Sequence, residues 1–588
     1  MNRKYFLAAL ALSVVLSLAG ESFTFGNQRL SFQDDALTAK VDKLFAQWDK
    51  PDSPGAMLAI IKDGKVIYKR GYGMADLEHN VPISSSTVFN IASTSKQFTA
   101  MSILMLVRQG KISLDDDIRK YVPDIPKYDS PVTIRQLIHH TSGIRDYLGL
   151  MSLAGVRQED YYDNDDIIEL MERQKNLNFK PGSEYLYSNT GYVLLSMVVQ
   201  KVSGKSLRDF AKENIFKPLG MEHTQIRDDH TAIFTNRAVG YSPVKGGTFQ
   251  IKVQDVDVVG DSNLYTTVDD LFLWDQNFYN NILNAQDKEL ISQMLAPFTL
   301  TSGKDTGSAS GLHVGQYKGL KFVSHPGSMP GYRSQMIRFP DERFSIICLA
   351  NASDLNAAKL ADQVADIFLA DKLKPVEAEN RLPAVLPSQF IKLSEKELAA
   401  NNGSYMDPLT NDFWQVSSAD GILIAATTKG NFKFAALSRN HFRSTNVNPA
   451  RELIFETSAN KSALMLVKTD GRQSATFEGA KPAILSADQL AEYAGEYYSD
   501  ELQATYKVVL EEGKLFYRLG YGRVGKNFRS KGPFFLPTIK DRFNAGGVSF
   551  YFIRNGQDRI TEFTLSIGRV KDLHFVRSLP TPMPRAQP

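Results

Sequence analysis

The chain has 588 residues, too many for one hydrophobic core, and at roughly 150 residues per domain it calls for about three or four. With 43% hydrophobic, 11% aromatic and 23% charged residues, it has the composition of folded protein rather than of a disordered, collagenous or polytopic membrane chain. A net charge of +3 is too weak a field to argue for nucleic acid, and the single cysteine, Cys348, excludes an intramolecular disulfide, an all-cysteine zinc site and a cysteine-bound iron–sulfur cluster.

Asn2, Arg3 and Lys4 precede an almost unbroken apolar run from Tyr5 to Ala19, and Ser17-Leu18-Ala19 places small residues where signal peptidase cuts. Residues 1–19 are therefore predicted to be a signal peptide, and the mature chain periplasmic or secreted. An uncleaved N-terminal membrane anchor is the alternative, for which the run is short of the ~20 residues a spanning helix needs. With no second long apolar run, stable membrane insertion is not expected.

Residues 30–373 read as a mixed α/β domain. Met57 to Ile61 and Val66 to Tyr68 flank Asp63-Gly64, a hairpin signal, and Ser334 to Phe339 and Arg343 to Leu349 flank Pro340-Asp341 in the same way. Helical stretches lie between them: Gln97 to Arg108, Tyr192 to Val202 stopped by Gly204, and Leu207 to Ile215 stopped by Pro218. The pattern predicts one antiparallel sheet built from both ends of the domain, with a helical middle. Cys348 falls in an apolar strand and is predicted to be inert core.

Three residue groups in this domain carry chemistry. In Ser93-Thr94-Ser95-Lys96 the serine precedes an apolar helical run, so Lys96 sits one turn on and on the same face. Burial beside a helix N-terminus pushes such a lysine towards its neutral form, in which it can take the serine proton, and the same helix end offers the Ser93 N–H to an oxyanion. Tyr187-Ser188-Asn189 projects a phenol and an amide to one side of a turn or extended segment, as base and substrate-binding donor. His325-Pro326-Gly327-Ser328 precedes a strand pair, and Gly327 and Gly331 are expected to permit close approach of a ligand to the backbone.

Other motifs carry less. Gly520-Tyr521-Gly522-Arg523-Val524-Gly525 matches a dinucleotide fingerprint but no helix follows it, and Gly204-Lys205-Ser206 lacks the leading glycine of a phosphate loop. No paired-histidine metal motif and no Gly-x-Ser-x-Gly elbow occurs.

A Pro-bearing stretch, 374–389, reads as a linker. After it Leu393, Ser394, Leu398, Ala399, Gly403, Tyr405, Gly421 and Leu423 recur 92 positions later as Leu485, Ser486, Leu490, Ala491, Gly495, Tyr497, Gly513 and Leu515. A fixed offset of this kind marks a duplicated unit. Residues 390–483 and 484–578 are predicted to be two small all-β domains, each opened by a short helix, and 579–588 an unstructured tail.

With the three motifs in this order, residues 35 to 370 resemble the penicillin-recognising serine hydrolases, in the class C β-lactamase-like branch. The resemblance also takes in Thr141-Ser142-Gly143-Ile144, Asn263-Leu264-Tyr265-Thr266-Thr267 and Pro330-Gly331-Tyr332. It implies a β-lactamase-like catalytic domain followed by two small antiparallel, lipocalin-like β-barrels, with Ser93 as acyl-accepting nucleophile, Lys96 as its activator and Tyr187 as the proton partner of the leaving group. Asn189 would hold the substrate carbonyl side, His325 would replace the third-motif lysine, and the N–H groups of Ser93 and Ser328 beside Gly327 would form the oxyanion hole. Whether Lys96 or Tyr187 is the base stays open at this level.

Where β-lactamases carry a lysine and a hydroxyl residue to grip the substrate carboxylate, this chain has His325 and Pro326. A largely neutral histidine and a proline weaken that grip, and Ser328 and Arg333 are the residues that could compensate. The resemblance therefore points to D-aminopeptidase and esterase members, acting without metal or organic cofactor on a small-molecule or peptide substrate, with selectivity resting on pocket shape. A β-lactamase or penicillin-binding DD-peptidase, and a non-catalytic cell-wall or protein-binding module, are the alternative readings. Oligomeric state is not readable.

Overall fold

The computed structural model describes residues 35–578 except 158–159, 253–254, 285–288, 375–389, 409–411, 428–429, 448–449, 458–462, 470–471 and 521–527. The predicted signal peptide, nearly all of the linker, most of the 520–525 glycine motif and the tail lie outside the described residues.

Helix α1 (Asp35–Phe45) leads into strands β1 (Ala56–Lys62) and β2 (Lys65–Tyr72). Their turn takes both Asp63 and Gly64 to positive φ, 49° and 75°, the twist a two-residue hairpin needs. Helices α2 (Lys96–Arg108) and α3 (Asn189–Ser203) pack on one another in the helical middle. The chain then returns through β3 (Ser308–Ala309), β4 (Leu312–Tyr317), β5 (Leu320–Met329), β6 (Tyr332–Phe339), β7 (Phe344–Ala350) and α4 (Ala357–Phe368). The seven strands form one antiparallel sheet in the order β3-β4-β5-β6-β7-β1-β2, so β1 pairs with β7 and the two ends of the domain share a sheet, as the pattern predicts.

Both faces of this sheet are covered, which is why β1 and β7 are almost wholly apolar, with only Lys62 and Ser345 as exceptions. Ala56, Leu58 and Ile60 face α1 and α4, where Leu360, Ala361, Val364 and Ala365 form the apolar stripe, and Met57, Ala59 and Ile61 face the helical middle. Cys348 is fully buried in β7, and burial raises its thiol to about 12. Two local readings are corrected. The serine-bearing turn Ala92–Ser95 is a 3-10 turn leading into α2 rather than the first α-turn, and the helix at Leu207 ends at Ala211, continuing as a π-helical turn, Lys212–Phe216.

The repeat is visible in matching detail. Helices α5 (Glu395–Ala399) and α6 (Ala487–Ala491) are both opened by a serine capping box, Ser394 with Glu397 and Ser486 with Gln489. The Tyr405 hydroxyl donates to the Asn401 carbonyl and the Tyr497 hydroxyl to the Tyr493 carbonyl, the same bond one repeat apart. The first unit is a closed eight-stranded barrel. The second is a nine-stranded antiparallel sheet whose end strands, Phe528–Phe534 and Leu536–Pro537, are consecutive in the chain, so it curls almost to closure. Its last strands are β8 (Ile560–Ile567) and β9 (Val570–Arg577). The units differ in docking. The first has its own core around Trp414 and Phe434, whereas the core of the second, with Tyr506, Phe563 and Val570, is continuous with that of the helical middle. Among the described residues, no helix is long and apolar enough to cross a membrane.

Candidate active site

Ser93 sits in the 3-10 turn that leads into α2, behind a strained residue. Ala92 has φ +47°, a left-handed conformation that costs a non-glycine residue on the order of 1 kcal/mol or more. Its N–H donates to Asn90 Oδ1 at 2.7 Å, and Asn90 Nδ2 donates to Asn263 Oδ1 at 3.2 Å. Asn263, itself at φ +64°, donates to the carbonyls of Val256 and Val258. A buried amide chain thus holds the turn that presents the serine.

Lys96 follows on the same face, fully buried, and its ammonium is fixed by three acceptors: Ser93 Oγ at 3.2 Å, Asn189 Oδ1 at 2.9 Å and the Asp261 carbonyl at 2.7 Å. Burial pulls its pKa down to about 8, opposed by Asp261 and Asp146 and aided by Arg569. Once neutral, a lysine so placed can accept the proton of Ser93 Oγ. The Asp261 carboxyl is raised by its own burial against the pull of Lys96, and is held by the Tyr147 hydroxyl and Ser262 Oγ.

Ser188 is extended, φ −133° and ψ 123°, and α3 starts at Asn189, so Tyr187 and Asn189 project to the same place. Lys96 Nζ lies 5.0 Å from the Tyr187 ring centroid, so the phenol and the amine stand on the same side of the cleft as Ser93. Burial pushes this phenol well above its ordinary range while the nearby Ser93 hydroxyl lowers it, so it stays protonated at neutral pH. Behind it the His140 ring stacks at 4.2 Å, and His140 Nδ1 accepts the Ser188 N–H at 3.2 Å. Burial and Lys96 keep His140 neutral. Asn189 is held in turn by Asp146, whose Oδ2 accepts its N–H at 2.7 Å and its Nδ2 at 3.0 Å.

Strand β5 supplies the opposite wall. Its pairing with β4 stops at Ser324, so His325 to Met329 bond to β6 on one side and lie against the serine turn on the other. Thr94 Oγ1 donates to the His325 carbonyl at 3.0 Å. His325 Nδ1 lies 2.7 Å from the Pro326 carbonyl and so carries the ring proton, and burial followed by the charge of Lys96 pulls its pKa down to about 3. A ring held neutral in this way supplies no fixed cation at the third motif. The two glycines also serve close backbone packing. A Cβ on Gly327 would meet the Ile91 carbonyl and Ser334 Oγ at 2.2 Å, and Gly331, φ +80°, packs on the Gly240 backbone. Gly327 thus lets the strand pack closely against the serine turn while still lining the cleft, and Gly331 lets the following turn pack on Gly240.

These groups open on one cleft of about 1070 Å³, lined by Ser93, Tyr187, Asn189, His325, Gly327 and Ser328 among others. All seven residues picked from the sequence are therefore brought together, six on the wall and Lys96 buried immediately beneath. Sequence reasoning missed His140, Asp146, Asp261 and Arg569. For His140 and Asp146 a signal existed, since they flank Thr141-Ser142-Gly143-Ile144 of the resemblance; for Arg569, which also lines the cleft, there was none.

An activated serine between a helical domain and an antiparallel sheet defines a serine hydrolase of the penicillin-recognising class. Residues 41–369 match the Beta-lactamase family, and the chain belongs to it. It is 32% identical over 324 residues to penicillin-binding protein 4* of Bacillus subtilis (strain 168), covering 52% of this chain and 70% of that protein. It is 26% identical over 535 residues to a D-aminopeptidase of Brucella anthropi (strain ATCC 49188), covering 89% of this chain and 95% of that protein. Among solved structures, a penicillin-binding protein homologue from Pyrococcus abyssi has the same fold, with a TM-score of 0.52 and 23% identity over 75% of this chain and 99% of that one.

Proposed function

We propose that the protein is an exported serine hydrolase that forms an acyl-enzyme at Ser93 on small amides or esters, with D-amino-acid peptides as the substrate class. The observation that carries the reading is the 3.2 Å contact from a buried, depressed-pKa Lys96 to Ser93 Oγ, with Tyr187 lining the same cleft. Lys96 in its neutral form takes the Ser93 proton as Oγ attacks the carbonyl, the N–H groups of Ser93 and Ser328 receive the oxyanion, and Tyr187 passes a proton to the leaving group. Water then repeats the sequence on the acyl-enzyme, with the same groups in reverse. The family places the chain among serine hydrolases, the D-aminopeptidase relative that spans nearly its whole length supports D-amino-acid substrates, and the apolar N-terminal run supports export.

Screening the purified protein against p-nitroanilides of D- and L-amino acids, short acyl esters and nitrocefin identifies the substrate. Ser93→Ala is expected to lose ~10⁴-fold or more in turnover and all labelling by a fluorophosphonate; full activity in that variant overturns the mechanism. A penicillin-binding or β-lactamase role is the second reading, favoured by the 32% identity to penicillin-binding protein 4*, and nitrocefin turnover matching that on peptides and esters would select it.

A further inference from the structure

The hairpin joining β8 and β9 of the second β unit ends at Gly568-Arg569, and this tip is built into the catalytic domain. Asn178 Nδ2 donates to the Arg569 carbonyl at 2.8 Å and Asn178 Oδ1 accepts the Lys571 N–H at 2.8 Å. Arg145, fully buried, donates to the carbonyls of Lys571 and Asp572 and pairs with buried Glu501 at 3.1 Å. Val570 sits so close over Gly149 that a Cβ there would come within 2.8 Å of it. A backbone tied down at this many points fixes where the Arg569 side chain can reach.

It reaches the active site. The guanidinium lies 4.7 Å from the Tyr187 ring centroid, and its Nη1 is 3.5 Å from Asp146 Oδ2, an oxygen already accepting two shorter bonds from Asn189. That long contact does not use up the fork, and the side chain keeps 44% of its exposure. Lys252 and Arg333 line the same cleft. The carboxylates on the wall are Asp261, buried against Tyr147 and Ser262, and exposed Asp354, which acts on Arg333. Among the described residues that line the cleft, three cations thus face one accessible carboxylate, although the chain as a whole is near neutral.

We propose that Arg569, with Arg333 and Lys252, forms an anion-binding wall of this cleft, so that the preferred substrate carries a free carboxylate beside its scissile amide or ester. The inference rests on Ser93 being the acyl acceptor, and deepens that reading by choosing among small amides. A carboxylate meets a forked guanidinium on an aromatic face, where a charge-assisted bond forms in partial exclusion from water. The free ammonium of an aminopeptidase substrate meets like charge there. The cation missing from the third motif is in this way supplied by the far end of the chain.

The test uses the full-length protein and the rate at which a fluorophosphonate labels Ser93. Three protecting ligands are compared: an N-acyl-D-dipeptide with a free C-terminal carboxylate, its C-terminal carboxamide, and an N-terminally free D-amino-acid amide. The carboxylate is expected to protect at about tenfold lower concentration than its carboxamide, the worth of one charge-assisted hydrogen bond, and the margin should shrink with added salt. Arg569→Ala should remove most of that margin, Arg569→Lys should keep part of it, and Arg569→Glu should shift preference towards the free amine. Equal protection by carboxylate and carboxamide, or an Arg569→Ala effect of the same size on all three ligands, overturns the anion wall. Failure of Ser93 to be labelled at all, with no ligand present, overturns instead the serine-hydrolase reading on which it rests.

Discussion

Of Lys96, Tyr187, His140 and His325 around Ser93, Lys96 is the one brought into the working pH range, and on the proposed mechanism this sets the acid limb of the pH–rate profile. His325 is pulled down to about 3, His140 lies well below its ordinary value, and Tyr187 lies well above its own. Lysine's ordinary value is 10.5, and burial brings Lys96 to about 8. At neutral pH about one molecule in ten then carries the neutral amine, against roughly three in ten thousand for an unshifted lysine, a gain of about 300-fold in competent enzyme. Since the deprotonated amine is the reactive form, acylation should rise with pH at unit slope, bend near the Lys96 value, and fall about fiftyfold from about pH 8 to about pH 6. The assay is the pre-steady-state burst of a p-nitrophenyl ester across a buffer series at constant ionic strength. Lys96→Ala should abolish the limb and slow acylation by ~10²–10⁴. An acid limb centred near the ordinary histidine value of about 6.5, or one that survives in Lys96→Ala, would refute the assignment.

Tyr187→Phe removes the hydroxyl near Ser93 but keeps the ring stacked on His140, so kcat should drop ~10²-fold or more with an unchanged thermal midpoint; wild-type turnover would show that the phenol handles no proton. Gly327→Ala drives a Cβ into the Ile91 carbonyl, two residues before Ser93, and should slow acylation by about 10²-fold, read in the same burst assay, while ligand protection changes little. Arg145→Ala strands buried Glu501 without its counter-charge, at a cost of about 3–5 kcal/mol. It should lower the denaturation midpoint and expose the junction between the catalytic domain and the second β unit to protease, and an unchanged digestion pattern would show that the second unit docks by other means.

Much of the catalytic domain was legible because the signals were local. The three-residue spacing of Ser93 and Lys96 puts both on one face of any helical turn, and the Asp63-Gly64 hairpin and the doubly apolar β1 and β7 announce a sheet covered on both sides. The 92-residue offset was legible for the same reason. Caps, turns and the tyrosine hydroxyl bond are short-range devices, so a duplicated sequence carries them intact. What spacing did not reveal was that Gly327 also packs on the Ile91 carbonyl and Gly331 on the Gly240 backbone, because a close approach looks the same in sequence whether the neighbour is a ligand or a backbone.

Residue type and order, then, determined the fold class, the repeat and the seven candidate residues. Tertiary structure decided their environment: that Lys96 is dry and held by Asn189 and Asp261, that His140 backs Tyr187, and that Arg569 arrives at a cleft whose other residues lie hundreds of positions earlier. It also decided that the second β unit, and not the first, shares a core with the helical middle. The division follows from the physics. Backbone propensity and side-chain periodicity act over a few residues and leave a mark in sequence, whereas desolvation and charge proximity depend on what the folded chain brings within a few ångströms, which no local pattern records.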